Sequence, residues 1–305
     1  MTLGRLILKN ENDEILNIFE GNIIGYKDIN VSAEIVFTTA MTGYPLSVTD
    51  PSFAGQILIF TYALIGNYGI PNNDFDEFGL EKNFESNRIH PMGIVIQDYC
   101  ENPSHYKCVK TLNDWLIENK VPGICNIDCR YLTKIIRESN TTIYGTIEIN
   151  QDFPYTSLDM KSIVKTVSRN KPFTYNENNK YKIIAYDLGI KNNIIRSLLN
   201  FEDIQLKVVP YNYIIDDEEF ETINGIFLSN GPGDPQDCVE TIELLKKYFE
   251  KNISIFGICL GHQLIALASG ALTKKMKYGN RGCNQSVINC ENSNCYVTSQ
   301  NHGYE

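Results

Sequence analysis

Through the first half of the chain, apolar residues recur at every second position or in short unbroken runs. Leu3–Leu8, Glu34–Thr39, Gln56–Tyr62, Met92–Ile96 and Thr142–Ile147 therefore read as strands, separated by Gly, Pro and Asn. Helical spacing shows mainly at Leu112 to Glu118 and at Tyr131 to Arg137. The second of these follows Asp128, whose carboxylate can cap a helix. The mixture predicts an α+β domain over residues 1–151. From 152 to 180 the pattern thins, and Lys171 to Lys180 carries too little apolar surface for a core, which predicts a linker. Past residue 181 the rhythm changes. Strand-like Lys182–Tyr186, Gln205–Val209, Gly225–Leu228 and Ile253–Ile258 are interleaved with helix-like Ile190–Leu199, Asp237–Lys251 and Gln263–Ala271. Successive βα units specify a doubly wound parallel sheet with helices on both faces, so residues 181–305 are predicted to be an α/β domain.

In such sheets ligands bind beyond the carboxyl ends of the strands. Two motifs fall there. Ser229-Asn230-Gly231-Pro232-Gly233-Asp234-Pro235 follows one strand, and Gly257-Ile258-Cys259-Leu260-Gly261-His262-Gln263 joins the next to a helix. A strand that reverses straight into a helix strains the turn residue, and flanking glycines remove the Cβ atoms that would clash. Cys259 would then project its sulfur into open space, at a helix N-terminus that favours thiolate and can receive an oxyanion. The alternative is a buried, inert thiol under a helix. Leu260 N–H, directly after the nucleophile, is the candidate oxyanion donor. Gly231 and Gly233 can bring bare backbone against a small ligand or can simply form a turn. His262 should point over the outer side of the elbow, where packing suits it better than base work. His302, near the chain end, is the other imidazole candidate.

At 305 residues the chain has length for about two domains. Its net charge of −10 argues against nucleic acid, and the short basic patches Lys191 to Arg196 and Lys274 to Lys277 read as solvated faces. Nine cysteines without paired CxxC spacing predict no metal site. The odd count, and the lack of an apolar or Arg-rich leader, point to free thiols in the cytoplasm. No apolar stretch is long enough to span a bilayer, so no membrane role is expected.

Taken together, the Cys259 and Ser229–Pro235 motifs resemble those of class I, triad-type glutamine amidotransferases. Met41-Thr42-Gly43-Tyr44-Pro45, Thr49-Asp50-Pro51-Ser52 and Ile65-Gly66-Asn67-Tyr68-Gly69 are similar to the extra N-terminal domain of the carbamoyl-phosphate synthetase small subunit. Tyr278-Gly279-Asn280-Arg281-Gly282, with Asn284-Gln285, is closer to the fused pyrimidine-pathway enzymes of eukaryotes than to free-standing bacterial subunits. The resemblance implies that Cys259 attacks the glutamine amide, that a thioester forms, and that ammonia passes to a synthetase partner. That partner would be a separate large subunit or a fused domain, feeding pyrimidine or arginine biosynthesis. Cofactors are expected only there, as ATP and Mg2+. By motif, the glutamine pocket would comprise Ser52, Gly231, Gly233, Leu260, Gln263, Asn301, Gly303 and Tyr304. Ammonia-dependent mitochondrial relatives lack the cysteine, so glutamine dependence is implied. The family's catalytic His and Glu lie in a His-Pro-Glu segment downstream of Asn301-His302-Gly303. This sequence ends at Glu305 without one, so the amidotransferase domain is expected to be C-terminally incomplete and to turn over slowly. Two rival readings are an inactive glutamine-binding regulatory or scaffold module, and a class I amidotransferase serving a different synthetase.

Overall fold

A computed structural model describes residues 2–305. The first sheet contains β1 (Thr2–Lys9), β2 (Ile15–Gly25), β3 (Asn30–Thr38), β4 (Gln56–Phe60), β5 (Gly93–Val95), β6 (Pro122–Cys125), β7 (Tyr144–Glu148) and β8 (Tyr155–Thr156). Their order is β7-β1-β2-β6-β5-β4-β3-β8, and β7 pairs with β3 as well as with β1, so the sheet closes on itself. Closure on the inside and a covering layer on the outside bury β4 along its whole length. Ile57 and Ile59 enter the enclosed core with Leu6, Leu8, Ile35 and Ile147. Leu58 and Phe60 face outward, under Trp115, Leu116 and Phe84. A strand covered on both faces reads as a continuous apolar run, as this one does.

The predicted strands and helices of this half are present, with ends shifted by a few residues. Asp128 caps its helix, accepting from Tyr131 N at 2.8 Å, and that helix runs Cys129–Glu138. The pattern did not point to β2, the longest strand of the closed sheet, or to β6. Residues 152–180 are ordered pieces of the two sheets and their seam, not a plain connector. β8 adds to β3, the helix Ile163–Val167 buries Ile163 and Val164, and β9 (Phe173–Tyr175) pairs with a strand of the second sheet. Two or three apolar side chains suffice when the neighbouring cores supply the rest of the contact surface.

The second sheet continues with β10 (Tyr181–Asp187), β11 (Ile204–Pro210), β12 (Gly225–Leu228) and β13 (Ser254–Gly257), in the order β9-β11-β10-β12-β13. All neighbours are parallel except β9. One face packs on the helix Asn192–Leu199 through Ala185, Leu206, Val208 and Phe227. The other packs on Val239–Phe249 and Leu260–Ala268 through Ile184, Tyr186, Ile226 and Leu228. This is the predicted doubly wound arrangement. The helix after the cysteine starts at Leu260, three residues earlier than its apolar spacing indicated, and ends at Ala268 before Gly270. A final hairpin, β14 (Lys275–Ile288) and β15 (Cys295–Tyr304), lies against β3, with Thr39 N donating to Arg281 O at 3.0 Å. Among the described residues, no helix is long and apolar enough to cross a membrane.

Candidate active site

Leu228 pairs with Gly257, so the Ser229 and Cys259 loops leave adjacent parallel strands side by side. Ile258 N donates to Leu228 O and Gly261 N to Ser229 O, each at 3.0 Å, which knots the two loops together. Cys259 has φ 54° and ψ −110°, a conformation that costs a non-glycine residue energy and persists only where the surroundings enforce it. The enforcement is visible at the flanking glycines. A Cβ on Gly261 would sit 2.3 Å from Leu228 O, and one on Gly257 would sit 2.5 Å from the Gly261 carbonyl carbon. Neither obstacle is a movable side chain, so the turn admits only glycine at both places.

The elbow faces a cavity of about 400 Å³. All nine residues singled out from sequence line it: Ser52, Gly231, Gly233, Cys259, Leu260, Gln263, Asn301, Gly303 and Tyr304. Ser52 comes from the first unit, and its Oγ accepts from Asn230 Nδ2 at 2.9 Å. Gln263 lies in the first turn of its helix and donates through Nε2 to Tyr304 O at 2.7 Å, leaving Oε1 for another donor. The Cys259 thiol donates to Asn301 O at 3.5 Å. Asn301 in turn donates through Nδ2 to Asp50 Oδ2 at 3.1 Å. The cavity thus lies between the closed sheet, the parallel sheet and the hairpin.

Sequence reasoning missed several lining or supporting residues. Asp50 sits under the cavity with 5% of its side chain exposed, capping Ser52 N at 2.9 Å and pairing with Lys191 Nζ at 2.8 Å. Burial pushes the Asp50 carboxyl up, but Lys191, Ser52 N–H and Asn301 more than offset it and hold it below the ordinary range. Lys191 is correspondingly raised, burial being outweighed by Asp50. Lys191 and Arg196 are therefore not a solvated face: Lys191 pairs with Asp50 and Arg196 with Asp76 at 2.8 Å, both across the two units. Lys275 likewise reaches Glu34 at 2.9 Å. Ser157, Leu158 and Met160, from the segment expected to be a linker, also line the cavity. The signal available was Asp50 itself, one residue before a proline in a quoted motif. Its partner lies 141 positions away, which no local pattern reveals.

The expectation of a readily formed thiolate is corrected. Burial raises the Cys259 thiol above its ordinary value, and the Leu260 N–H, Lys191 and Arg281 only partly counter this, while Asp50 reinforces it. His262 is exposed, as its helix position implied. His302 lines the cavity, but its ring is engaged within its own strand: Nδ1 lies 2.9 Å from Tyr304 O and Nε2 lies 3.1 Å from Gln300 Oε1. All nine cysteines are free, and no group of three or more His, Cys, Asp or Glu among the described residues could hold a metal.

Comparison with known proteins agrees with this architecture. Residues 11–147 match the family model "Carbamoyl-phosphate synthase small chain, CPSase domain", and residues 183–305 match "Glutamine amidotransferase class-I". The multifunctional protein CAD of Squalus acanthias is 47% identical over 94% of this chain, which covers 13% of that protein. The carbamoyl phosphate synthase arginine-specific small chains of Neurospora crassa and Chaetomium globosum are 44% and 42% identical, again over 94% of this chain. The chain covers 64% and 63% of those two proteins. With both halves accounted for in order, the chain belongs to the carbamoyl-phosphate synthase small-chain family, in which a class I glutamine amidotransferase domain follows the small-chain domain.

Proposed function

We propose that this chain is the glutamine-hydrolysing part of a carbamoyl-phosphate synthetase, with residues 1–151 and 181–305 as its two domains. The observation that carries the reading is a single cysteine, held in a strained strand-to-helix turn, facing a cavity lined by every other residue assigned to glutamine. Cys259 Sγ forms a bond to the side-chain amide carbon of glutamine while the carbonyl oxygen becomes an oxyanion facing Leu260 N–H. Collapse breaks the C–N bond. The nitrogen takes a proton and leaves as ammonia, and water then cleaves the thioester to glutamate. Ser52, Gly231, Gly233, Gln263, Asn301, Gly303 and Tyr304 hold the substrate through side-chain and backbone polar groups.

Ammonia passes to a synthetase, as a large subunit or a fused domain, where ATP, Mg2+ and bicarbonate complete carbamoyl phosphate for pyrimidine or arginine synthesis. A relative of each kind, the multifunctional CAD and the arginine-specific small chains, supports that pairing. Proton transfer at Cys259 needs a base, and His302 faces its own strand, Nδ1 toward Tyr304 O and Nε2 toward Gln300 Oε1, while the thiol donates to Asn301 O. Turnover by residues 1–305 alone is therefore expected to be slow, with the thioester the observable species. The test is intact-mass spectrometry after mixing with L-glutamine and acid quenching. A glutamyl adduct that disappears in Cys259→Ser is expected. Glutamine binding with no adduct would instead leave a non-catalytic glutamine-binding module.

A further inference from the structure

On the helix Cys129–Glu138, Arg130, Lys134 and Arg137 follow one another at spacings of four and three residues. That places them in one stripe on the solvent side, opposite the buried Leu132 and Ile136. The stripe faces Lys277 and Tyr278 of β14 across an open groove of about 620 Å³, which Thr61 also lines. The Arg137 guanidinium lies 5.7 Å from the centre of the Tyr278 ring, within cation–π range. The groove thus runs between the closed sheet's helix and the hairpin of the second unit. Glu138 is the one carboxylate on it. Its contact with Lys134, at 3.8 Å between side chains about two-thirds exposed, is weak. Among the described residues, Arg130, Arg137 and Lys277 have no ion-pair partner.

This arrangement works against the helix that carries it. Arg130 sits in the first turn, where the positive end of the helix dipole disfavours a cation, and beyond the capping Asp128 no acidic residue offsets it there. Lys134 has a like charge on either side of it along the stripe. The chain as a whole carries a net charge of −10, so four cations gathered around one anion invert the local sign. Positive charge that serves neither the helix nor an internal pair is open to an anionic partner. An adjoining groove shares Thr61 and Arg130 but carries Asp98 and Asp128. A long polyanion such as a nucleic acid strand would meet those carboxylates as it ran on, whereas a short acidic stretch of polypeptide ends before them and can lay its side-chain stems on the Tyr278 ring. We propose that the groove between the helix Cys129–Glu138 and Lys277-Tyr278 docks a short acidic segment of another polypeptide, whose carboxylates pair with Arg130, Arg137 and Lys277. β14 pairs with β15 through Asn280 with His302 and Arg281 with Asn301, so the docked segment rests on the strand that backs one wall of the Cys259 cavity.

The test is fluorescence anisotropy of a fluorescein-labelled deca-glutamate peptide titrated with the whole chain at low salt. Saturable binding that weakens as salt rises is expected, although the protein's overall charge repels the peptide. Each exposed charge pair lost should cost up to about fivefold, so Arg130→Ser/Arg137→Ser/Lys277→Ser should weaken the peptide by at least about tenfold. Removing three exposed lysines elsewhere, in Lys165→Ser/Lys171→Ser/Lys247→Ser, changes the net charge equally and should weaken it by less than about twofold. All six side chains are exposed, so both variants should keep the thermal melting profile of the unaltered chain. No binding of the peptide by the unaltered chain, or an equal loss in the two triple variants, would overturn the assignment. Tighter binding of labelled deca-thymidylate than of the peptide, lost in the Arg130/Arg137/Lys277 variant, would also overturn it and give the groove to nucleic acid.

Discussion

Breaking the Asp50–Lys191 pair is the sharpest test of how the two units are held around the cavity. Asp50 has 5% of its side chain exposed and Lys191 has 28%, with 2.8 Å between Nζ and Oδ2. In Asp50→Asn the amide retains a cap for Ser52 N but turns a donor toward Lys191 Nζ and Asn301 Nδ2, which are donors themselves. Removing one partner of a fully buried pair costs about 3–5 kcal/mol. Because Lys191 is partly wet, about 3 kcal/mol is the figure to expect. Trp115, the single tryptophan, lies in the same unit as Asp50 against Phe84, so its fluorescence reports that unit's unfolding. At a urea slope of about 2 kcal/mol per molar, the midpoint should fall by about 1.5 M. Lys191→Met should lower it similarly, and the double variant should cost at least about 1 kcal/mol less than the two single costs combined. The pH dependence has a defined sign. Asp50 is depressed in the folded state, so its contribution is present above the ordinary carboxylate value of 3.8 and is lost as pH falls through the lower folded value. A midpoint shift below about 0.3 M, or strict additivity of the two variants, would refute the coupling.

Two further outcomes are expected. The rate of Cys259 alkylation by neutral iodoacetamide should rise through a midpoint above the ordinary thiol value of 9.0, and Lys191→Met should move it higher, because Lys191 favours the thiolate; a midpoint below 9.0 would contradict burial as the controlling effect. Gly261→Ala should destabilise the second unit by about 1–3 kcal/mol and abolish ligand protection of Cys259, since the added methyl meets the Leu228 backbone; thermal unfolding by circular dichroism, with unchanged melting and protection, would show that the elbow tolerates a side chain.

Residue order alone set much of this protein. Alternation and apolar runs marked most strands because burial on one or two faces imposes a local period, and the elbow was readable because its strain is absorbed by glycines within two residues of Cys259. β2 escaped because its exposed first half, Ile15 to Glu20, carries apolar residues that face out, breaking the expected alternation. Residues 152–180 escaped for the opposite reason: their few apolar side chains complete cores built mostly by other segments. What the tertiary structure alone decided is electrostatic and long-range. Asp50 and Lys191 lie 141 positions apart and Glu34 and Lys275 lie 241 apart, and both lysines fall in patches that the sequence reads as solvated faces. The Cys259 thiol, favoured as thiolate by its helix terminus, is raised instead because the folded units close around it. Local patterns encode which residues share a strand or helix face; desolvation and charge pairing depend on which faces meet, and that is settled only when the whole chain packs.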